Sequence, residues 1–257
     1  MTAPRTIDLN SDLGESFGVH RIGFDADLFP LISSANVACG FHGGDPRVIE
    51  RTVAAAREHG VGVGAHPGFP DLVGFGRREI AATPDEVRTD TLYQIGALDA
   101  FCRAAGLRLQ HVKAHGALYT RAVGDRAIAD AIAAAVAVYD PGLIFLAPPG
   151  TNLFAAAEAV GLPTAREGFA DRAYNPDGTL VSRRLPGAVI TDPDAAAERA
   201  LRLVAEGRLT TIDGGELELT VDSLCIHSDT PGAVAMAVAI RRRFAEAGIA
   251  IGPLRER

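Results

Sequence analysis

The stretch "LQHVKAHGALY", Leu109–Tyr119, decides how the chain is read. Side chains on a β-strand alternate between two faces, so His111, Lys113 and His115 point one way while Val112 and Ala114 point the other. Lys113 is the only lysine, since 24 of the 25 basic Lys+Arg residues are arginine. An ammonium kept between two histidines on one strand face indicates chemistry at that strand's end. Lysine loses its proton on burial more readily than arginine, and its compact head can address one oxygen. Lys113 therefore suggests a carbonyl-polarising cation, a proton carrier, a Schiff-base amine, or a structural partner for a carboxylate such as Asp8.

The same form, a short apolar run ending in polar residues and followed by an Ala-rich helical pattern, repeats along the chain. The pattern predicts strands near 5–10, 32–38, 61–66, 109–115, 143–147, 163–167 and 222–227. Helices are predicted near 46–59, 84–105, 124–138, 151–160, 193–206 and 231–247. Thr83, Pro84 and Glu86 form a capping-box start, and Asp45-Pro46, Asp192-Pro193 and Thr230-Pro231 repeat the idea. Gly60, Gly106, Gly161 and Gly248 stand where helix ends favour glycine. About seven parallel strands with intervening helices predict an α/β fold, a closed or nearly closed (β/α) barrel, formed by residues 1–257 as one domain.

In such barrels the interior is expected to be apolar, with functional groups at the C-terminal strand ends and in the loops that follow. The first strand gives Asp8 and Asn10 on one face, with Asp12 and Glu15 expected in the loop. The second gives Asn36, then His42. The third ends in His66, the fourth carries His111, Lys113 and His115, the sixth leads into Glu167 and Asp171, and the last ends in His227 and Asp229. Four of the seven histidines, His42, His66, His115 and His227, thus fall at or just past strand ends, which converges them on one pocket mouth. The long segment "PGFPDLVGFGRREIA" after the third strand exceeds an ordinary βα loop of about 2–6 residues and reads as a lid carrying Arg77 and Arg78.

The net charge of −7 and pI near 5.5 argue against a nucleic-acid groove or an anionic membrane surface. No cationic leader with an apolar run and no membrane-length apolar stretch is present, so a cytoplasmic protein is expected. Cys39, Cys102 and Cys225 show neither disulfide nor zinc-finger spacing. Cys39 and Cys225 read as core packing.

The stretches "DLNSDLGES", "SSANVACGFHGGDP", "GAHPGFPDLVGFGRR", "VKAHGALY" and "CIHSDTPGA" closely resemble the LamB/YcsF family of 5-oxoprolinase A subunits, over Ile7 to Arg243. The resemblance implies a barrel of the glycoside hydrolase/deacetylase type. It also implies one component of an ATP-dependent enzyme that opens the lactam of 5-oxo-L-proline (pyroglutamate) to L-glutamate, working with separate B and C subunits.

ATP, with Mg²⁺, is then the expected cofactor, yet the chain has no GxxxxGK[ST] motif. Another subunit is expected to supply the nucleotide chemistry while this barrel assists ring opening. Position and chemistry suggest Lys113 for the developing oxyanion and Asp12 or Asp8 with His66 or His115 for proton transfer. Arg77 or Arg78 would hold the substrate carboxylate, with Asn10, Asn36, His42, Glu167, His227 and Asp229 lining the substrate. A metal version uses His42, His66 and His115 with Asp8 or Asp12, although no HExxH pair supports it. The competing readings are a metal-dependent deacetylase or amidohydrolase on the same barrel, and a non-catalytic ligand-binding regulatory subunit.

Overall fold

The computed structural model describes residues 6–254. In chain order its elements are β1 (Thr6–Leu13), α1 (Asp25–Leu28), β2 (Ser34–Ala38), α2 (Pro46–His59), β3 (Gly62–His66), α3 (Pro84–Ala104), β4 (Leu109–Val112), α4 (Gly116–Gly124), α5 (Arg126–Tyr139) and β5 (Ile144–Ala147). They continue with α6 (Asn152–Ala159), β6 (Thr164–Phe169), α7 (Pro193–Glu206), β7 (Arg208–Thr210), β8 (Glu216–Glu218), β9 (Ser223–His227), α8 (Ala233–Glu246) and β10 (Ala250–Ile251). Neighbouring strands pair in parallel in the order β1-β2-β3-β4-β5-β6-β9, and β9 returns to β1 through Asp8↔Ser223 to Asp12↔His227. That closes a seven-stranded barrel. β10 lies beside β1, and β7 and β8 form a separate antiparallel pair.

Local chemistry accounts for most helix starts. Asp45 accepts from the backbone N–H groups of Arg47 and Val48, and Thr83 and Glu86 form a complete capping box at α3. Thr230 departs from the expectation: α8 begins at Ala233 behind Gly232, and the Thr230 hydroxyl donates instead to Asp171 at 2.9 Å. The fourth strand also ends earlier than its alternation predicts, because α4 starts at Gly116. Lys113 and His115 nevertheless continue the line, their N–H groups donating to the carbonyls of Ala65 and Pro67. No helix among the described residues is long and apolar enough to cross a membrane.

The main apolar core forms a sleeve around the barrel. Ile7, Leu9 and Leu13 of β1, Val37 of β2, Val63 of β3 and Val112 of β4 share one cluster with helix residues such as Ile49, Leu98, Ile132 and Ile240. The opposite face of β1 carries Asp8, Asn10 and Asp12, all buried. β1 is longer than its pattern suggests, so Asp12 is a strand residue rather than a loop residue.

The expectation of an apolar interior therefore fails along this side of the barrel. Asp8 accepts from Ser33 at 2.7 Å, Ser34 at 2.6 Å and Ser223. Asn10 donates to Ser223 at 2.7 Å and accepts from Asn36 at 2.7 Å, and Asn36 also donates to Asp12 at 2.8 Å. His111 Nε2 lies 2.7 Å from Asn36 Oδ1. Its Nδ1 lies 3.0 Å from Gln110 Oε1, so both ring nitrogens face amide oxygens. Burial pushes the His111 pKa down to about 3, which keeps the ring neutral, and pushes the Asp8 carboxyl up to about 6 despite its serine donors.

This column is tolerable inside a barrel because each member finds a partner; an unpaired buried polar group would cost about 1–3 kcal/mol. Room for it comes from Gly64 opposite His111, where an added Cβ would fall 2.1 Å from His111 Nε2.

Candidate active site

Asp12 is the hub where the polar column reaches the strand ends. Its Oδ1 accepts from Asn36 and, at 2.8 Å, from Lys113 Nζ. Lys113 also meets Glu167 Oε1 at 2.8 Å and Cys225 Sγ at 3.1 Å. Asp12 and Cys225 accept hydrogen bonds from the ammonium, whereas Glu167 Oε1 meets it as an ion pair without hydrogen-bond geometry. Lying between two buried carboxylates, Lys113 is held as their counter-ion. Burial disfavours the ammonium, but Asp12 and Glu167 outweigh it and hold the Lys113 pKa well above its ordinary value. Burial likewise opposes ionisation of Asp12, yet His66, Lys113 and His227 hold its carboxyl well below the usual range.

Cys225 lies in the apolar core as expected, but its sulfur also faces Lys113. Burial pushes its thiol pKa well up, so it is a neutral acceptor rather than a nucleophile. Glu167 takes a second donor, the Tyr119 hydroxyl at 3.4 Å, and burial raises its pKa as well.

Asp12 Oδ2 faces two imidazoles, with His66 Nε2 at 3.5 Å and His227 Nε2 at 4.0 Å. His227 is fixed from behind: its Nδ1 lies 2.9 and 3.0 Å from the two oxygens of Asp171, which also accepts from Thr230. Its ring stacks on Phe169 with centroids 5.5 Å apart. Asp171–His227 is thus a carboxylate–histidine pair with hydrogen-bond geometry, a pairing that spacing alone does not reveal.

On the other side of Asp12, His66 Nδ1 lies 2.8 Å from the Lys113 carbonyl, and His115 Nε2 lies 2.8 Å from the Phe75 carbonyl. The remaining nitrogens of these rings face each other at 3.1 Å. Glu15 Oε1 lies 3.5 Å from His115 Nδ1 and 3.3 Å from His42 Nε2, and His42 stacks parallel to His115 with centroids 3.6 Å apart. Glu15, His42, His66 and His115 form a cluster of ligand types able to hold a metal ion. Burial raises the Glu15 pKa and lowers those of His42 and His115.

Asp8 does not join this cluster. It lies four residues before Asp12 on β1, about 13 Å away along the strand, and its oxygens are taken by the three serines. The carboxylate beside the histidines is Glu15, whose period-breaking place just after β1 hides its role. Asn10 and Asn36 sit below Asp12 with their amides committed to the column.

The long segment after β3 packs over this end of the barrel. Gly76, at φ 62°, packs against the His42 Cβ and the His115 ring, where an added Cβ would come within 2.6 Å and 2.7 Å. Phe75 is, among the described residues, the one non-glycine with positive φ, at 55°. Strain of this kind persists where surroundings impose it, and here it accompanies the carbonyl that receives His115. Arg78 turns away from the barrel and pairs with Asp71, so it does not share the pocket with Arg77. Arg77 lies over the Phe75 ring and reaches Asp229 at 2.6 Å, linking this segment to the β9 end.

In a second trio of possible ligands, Asp12, Cys225 and His227, the first two are already bonded to the Lys113 ammonium.

The profile of the LamB/YcsF family matches residues 7–257. The chain is 56% identical to the 5-oxoprolinase A subunit of Symbiobacterium thermophilum, over 96% of this chain and 95% of that one. It is 54% identical to the 5-oxoprolinase A subunit of Thermus thermophilus, over 95% and 98%. The crystal structure of a lactam utilization protein from Thermus thermophilus superposes with a TM-score of 0.93 at 53% identity, covering 97% of this chain and all of that one. A putative cellobiose-phosphate cleavage protein from Enterococcus faecalis shares the fold, with a TM-score of 0.56 at 11% identity over 98% of each chain.

Proposed function

The chain belongs to the LamB/YcsF family, and from that premise we propose that it is the A subunit of an ATP-dependent 5-oxoprolinase. The reaction opens 5-oxo-L-proline to L-glutamate, coupled to hydrolysis of ATP to ADP and phosphate, in the cytoplasm, with separate B and C subunits. The observation that carries the reading for this chain is the convergence of His66 and His227 on Asp12 Oδ2 at the barrel end.

The residues of this site do not fit a triphosphate. Asp12, Glu15, Glu167 and Asp171 are buried around it, the ammonium of Lys113 is paired with Asp12 and Glu167, and no glycine-rich phosphate cradle is present in the sequence. Phosphoryl transfer from Mg²⁺-ATP is therefore assigned to a partner subunit, and the barrel receives the lactam or its activated form. Ring opening requires water to add to the carbonyl carbon, the C–N bond to break, and the nitrogen to gain a proton; from a lactam phosphorylated on oxygen this leaves an acyl phosphate, and a second water then releases phosphate and glutamate. His227, oriented by Asp171, takes the water proton at Nε2 and returns a proton to the ring nitrogen. Asp12, ionised and anchored by Lys113 and Asn36, holds the water through Oδ2. Arg77 exchanges Asp229 for the substrate carboxylate. A divalent ion bound among Glu15, His66 and His115 would supply carbonyl or water polarisation.

The test is glutamate and ADP release from 5-oxoproline plus ATP by this chain alone, by its B and C partners alone, and by the mixture. Activity only in the mixture is expected. A second reading, a metal-dependent amide hydrolase that needs no ATP, is favoured by the Glu15–His42–His66–His115 cluster; turnover by this chain alone without nucleotide would select it.

A further inference from the structure

We infer that Glu15, His66 and His115 form a binding site for one divalent transition-metal ion of the zinc class, with His42 orienting Glu15. The argument is a count of protons. A backbone carbonyl can only accept, so His66 carries its proton at Nδ1, facing the Lys113 carbonyl, and His115 at Nε2, facing the Phe75 carbonyl. With one proton each, the rings present lone pairs at His66 Nε2 and His115 Nδ1, which face each other at 3.1 Å. Glu15 Oε1 approaches the second at 3.5 Å and Asp12 Oδ2 approaches the first at 3.5 Å. Electron-rich atoms so placed repel unless a cation lies among them, either a metal ion or a second proton on His66 shared with Asp12 and His115.

The arrangement matches a metal better than a shared proton. Metal-bound histidines typically donate their other N–H to a carbonyl or carboxylate, and both rings do so here. Bonds of about 2.0–2.1 Å in a tetrahedral site place ligand atoms about 3.3 Å apart, close to the 3.1 and 3.5 Å separations observed. Two imidazoles and one carboxylate also form an open zinc-type set, with a position left for water. His42 cannot share the ion in the same way: its ring lies parallel to that of His115, within 3° and 3.6 Å between centroids, so an ion in one ring plane is out of the other. Its Nε2 instead meets Glu15 at 3.3 Å, while its Nδ1 is buried without a hydrogen-bond partner.

Metal binding can be read without any assay of turnover. The full chain, stripped with a chelator, is titrated with Co²⁺ and then Zn²⁺, following the visible ligand-field bands of cobalt and the metal content after gel filtration. The expected result is one equivalent per chain, tetrahedral or five-coordinate bands, and displacement of cobalt by zinc. His66→Ala and Glu15→Gln should bind at least about 100-fold more weakly, and His42→Ala about 10–100-fold more weakly. Retention of less than a tenth of an equivalent by the folded wild-type chain at about 50 μM zinc, roughly a thousandfold above the dissociation constant that about 10 kcal/mol of zinc binding implies, would overturn the site in favour of a shared proton. Unchanged binding by Glu15→Gln and His66→Ala would overturn it too, by placing the metal elsewhere. Because the wild-type titration decides, a variant that fails to fold does not rescue the inference, and the outcome is independent of the lactam reading.

Discussion

Lys113 Nζ and Asp12 Oδ1 lie 2.8 Å apart inside the barrel, and the same ammonium meets Glu167 at 2.8 Å. One cation thus neutralises carboxylates from β1 and β6 at the base of the proposed site. Replacing Lys113 by Met leaves both without their counter-ion, which typically costs about 3–5 kcal/mol when a buried pair loses one partner. The variant should show that loss in urea denaturation, and Lys113→Met with Glu167→Gln should recover part of it. Equal stability of the single variant and the wild type would remove Lys113 from this role.

Asp171 holds His227 by Nδ1, and the consequence is kinetic. Asp171→Asn should lower kcat by about 100- to 10,000-fold, with little change in KM, because an amide favours the wrong imidazole tautomer. His227→Gln should cost about as much, and the double variant little more. Additive losses would mean that the two residues do not act as a unit.

Arg77 and Arg78 are adjacent in sequence but face different partners, Asp229 and Asp71. Arg77→Ala is expected to raise KM for the lactam at least about tenfold while changing stability by less than about 1 kcal/mol, since its ion pair is partly exposed. Arg78→Ala should leave KM within about twofold. The reverse pattern in steady-state kinetics would contradict the assignment of Arg77 to the substrate carboxylate.

Asp8 gives the fold a pH dependence of its own. Its folded-state pKa, pushed up by burial to about 6, lies above the ordinary 3.8, so the folded chain binds this proton more tightly than the unfolded chain. Its contribution is full below about pH 4 and is lost as pH rises through about 6. About two pKa units correspond to about 3 kcal/mol. The stability of the wild type relative to Asp8→Asn should therefore fall by up to that amount between pH 4 and 7, as urea midpoints can show. A gap independent of pH would mean that Asp8 keeps an ordinary pKa.

Much of this architecture is legible in the sequence. The alternation in "LQHVKAHGALY" places His111, Lys113 and His115 on the inner face, and strand-then-helix spacing predicts a barrel of about seven parallel strands, as observed. Less legible is the polar column, because a general expectation of apolar interiors obscures a sequence in which Asp8, Asn10 and Asp12 share one parity. β1 runs to Leu13 although Asn, Ser and Asp are poor strand formers; partners in β2 and β9 override that preference. Partner choice is hidden too. Nothing in spacing says that Thr230 serves Asp171 rather than capping α8, or that Glu15 rather than Asp8 joins the histidines. The short β7, β8 and β10 strands carry too few residues for a periodic signal.

The most direct test of the central claim is glutamate formation from 5-oxoproline and ATP, measured with B and C partners in the presence and absence of this chain. The account predicts glutamate only when all are present, and loss of that activity when Asp171→Asn replaces the wild type. Glutamate formation at full rate by the partners without this chain would contradict it.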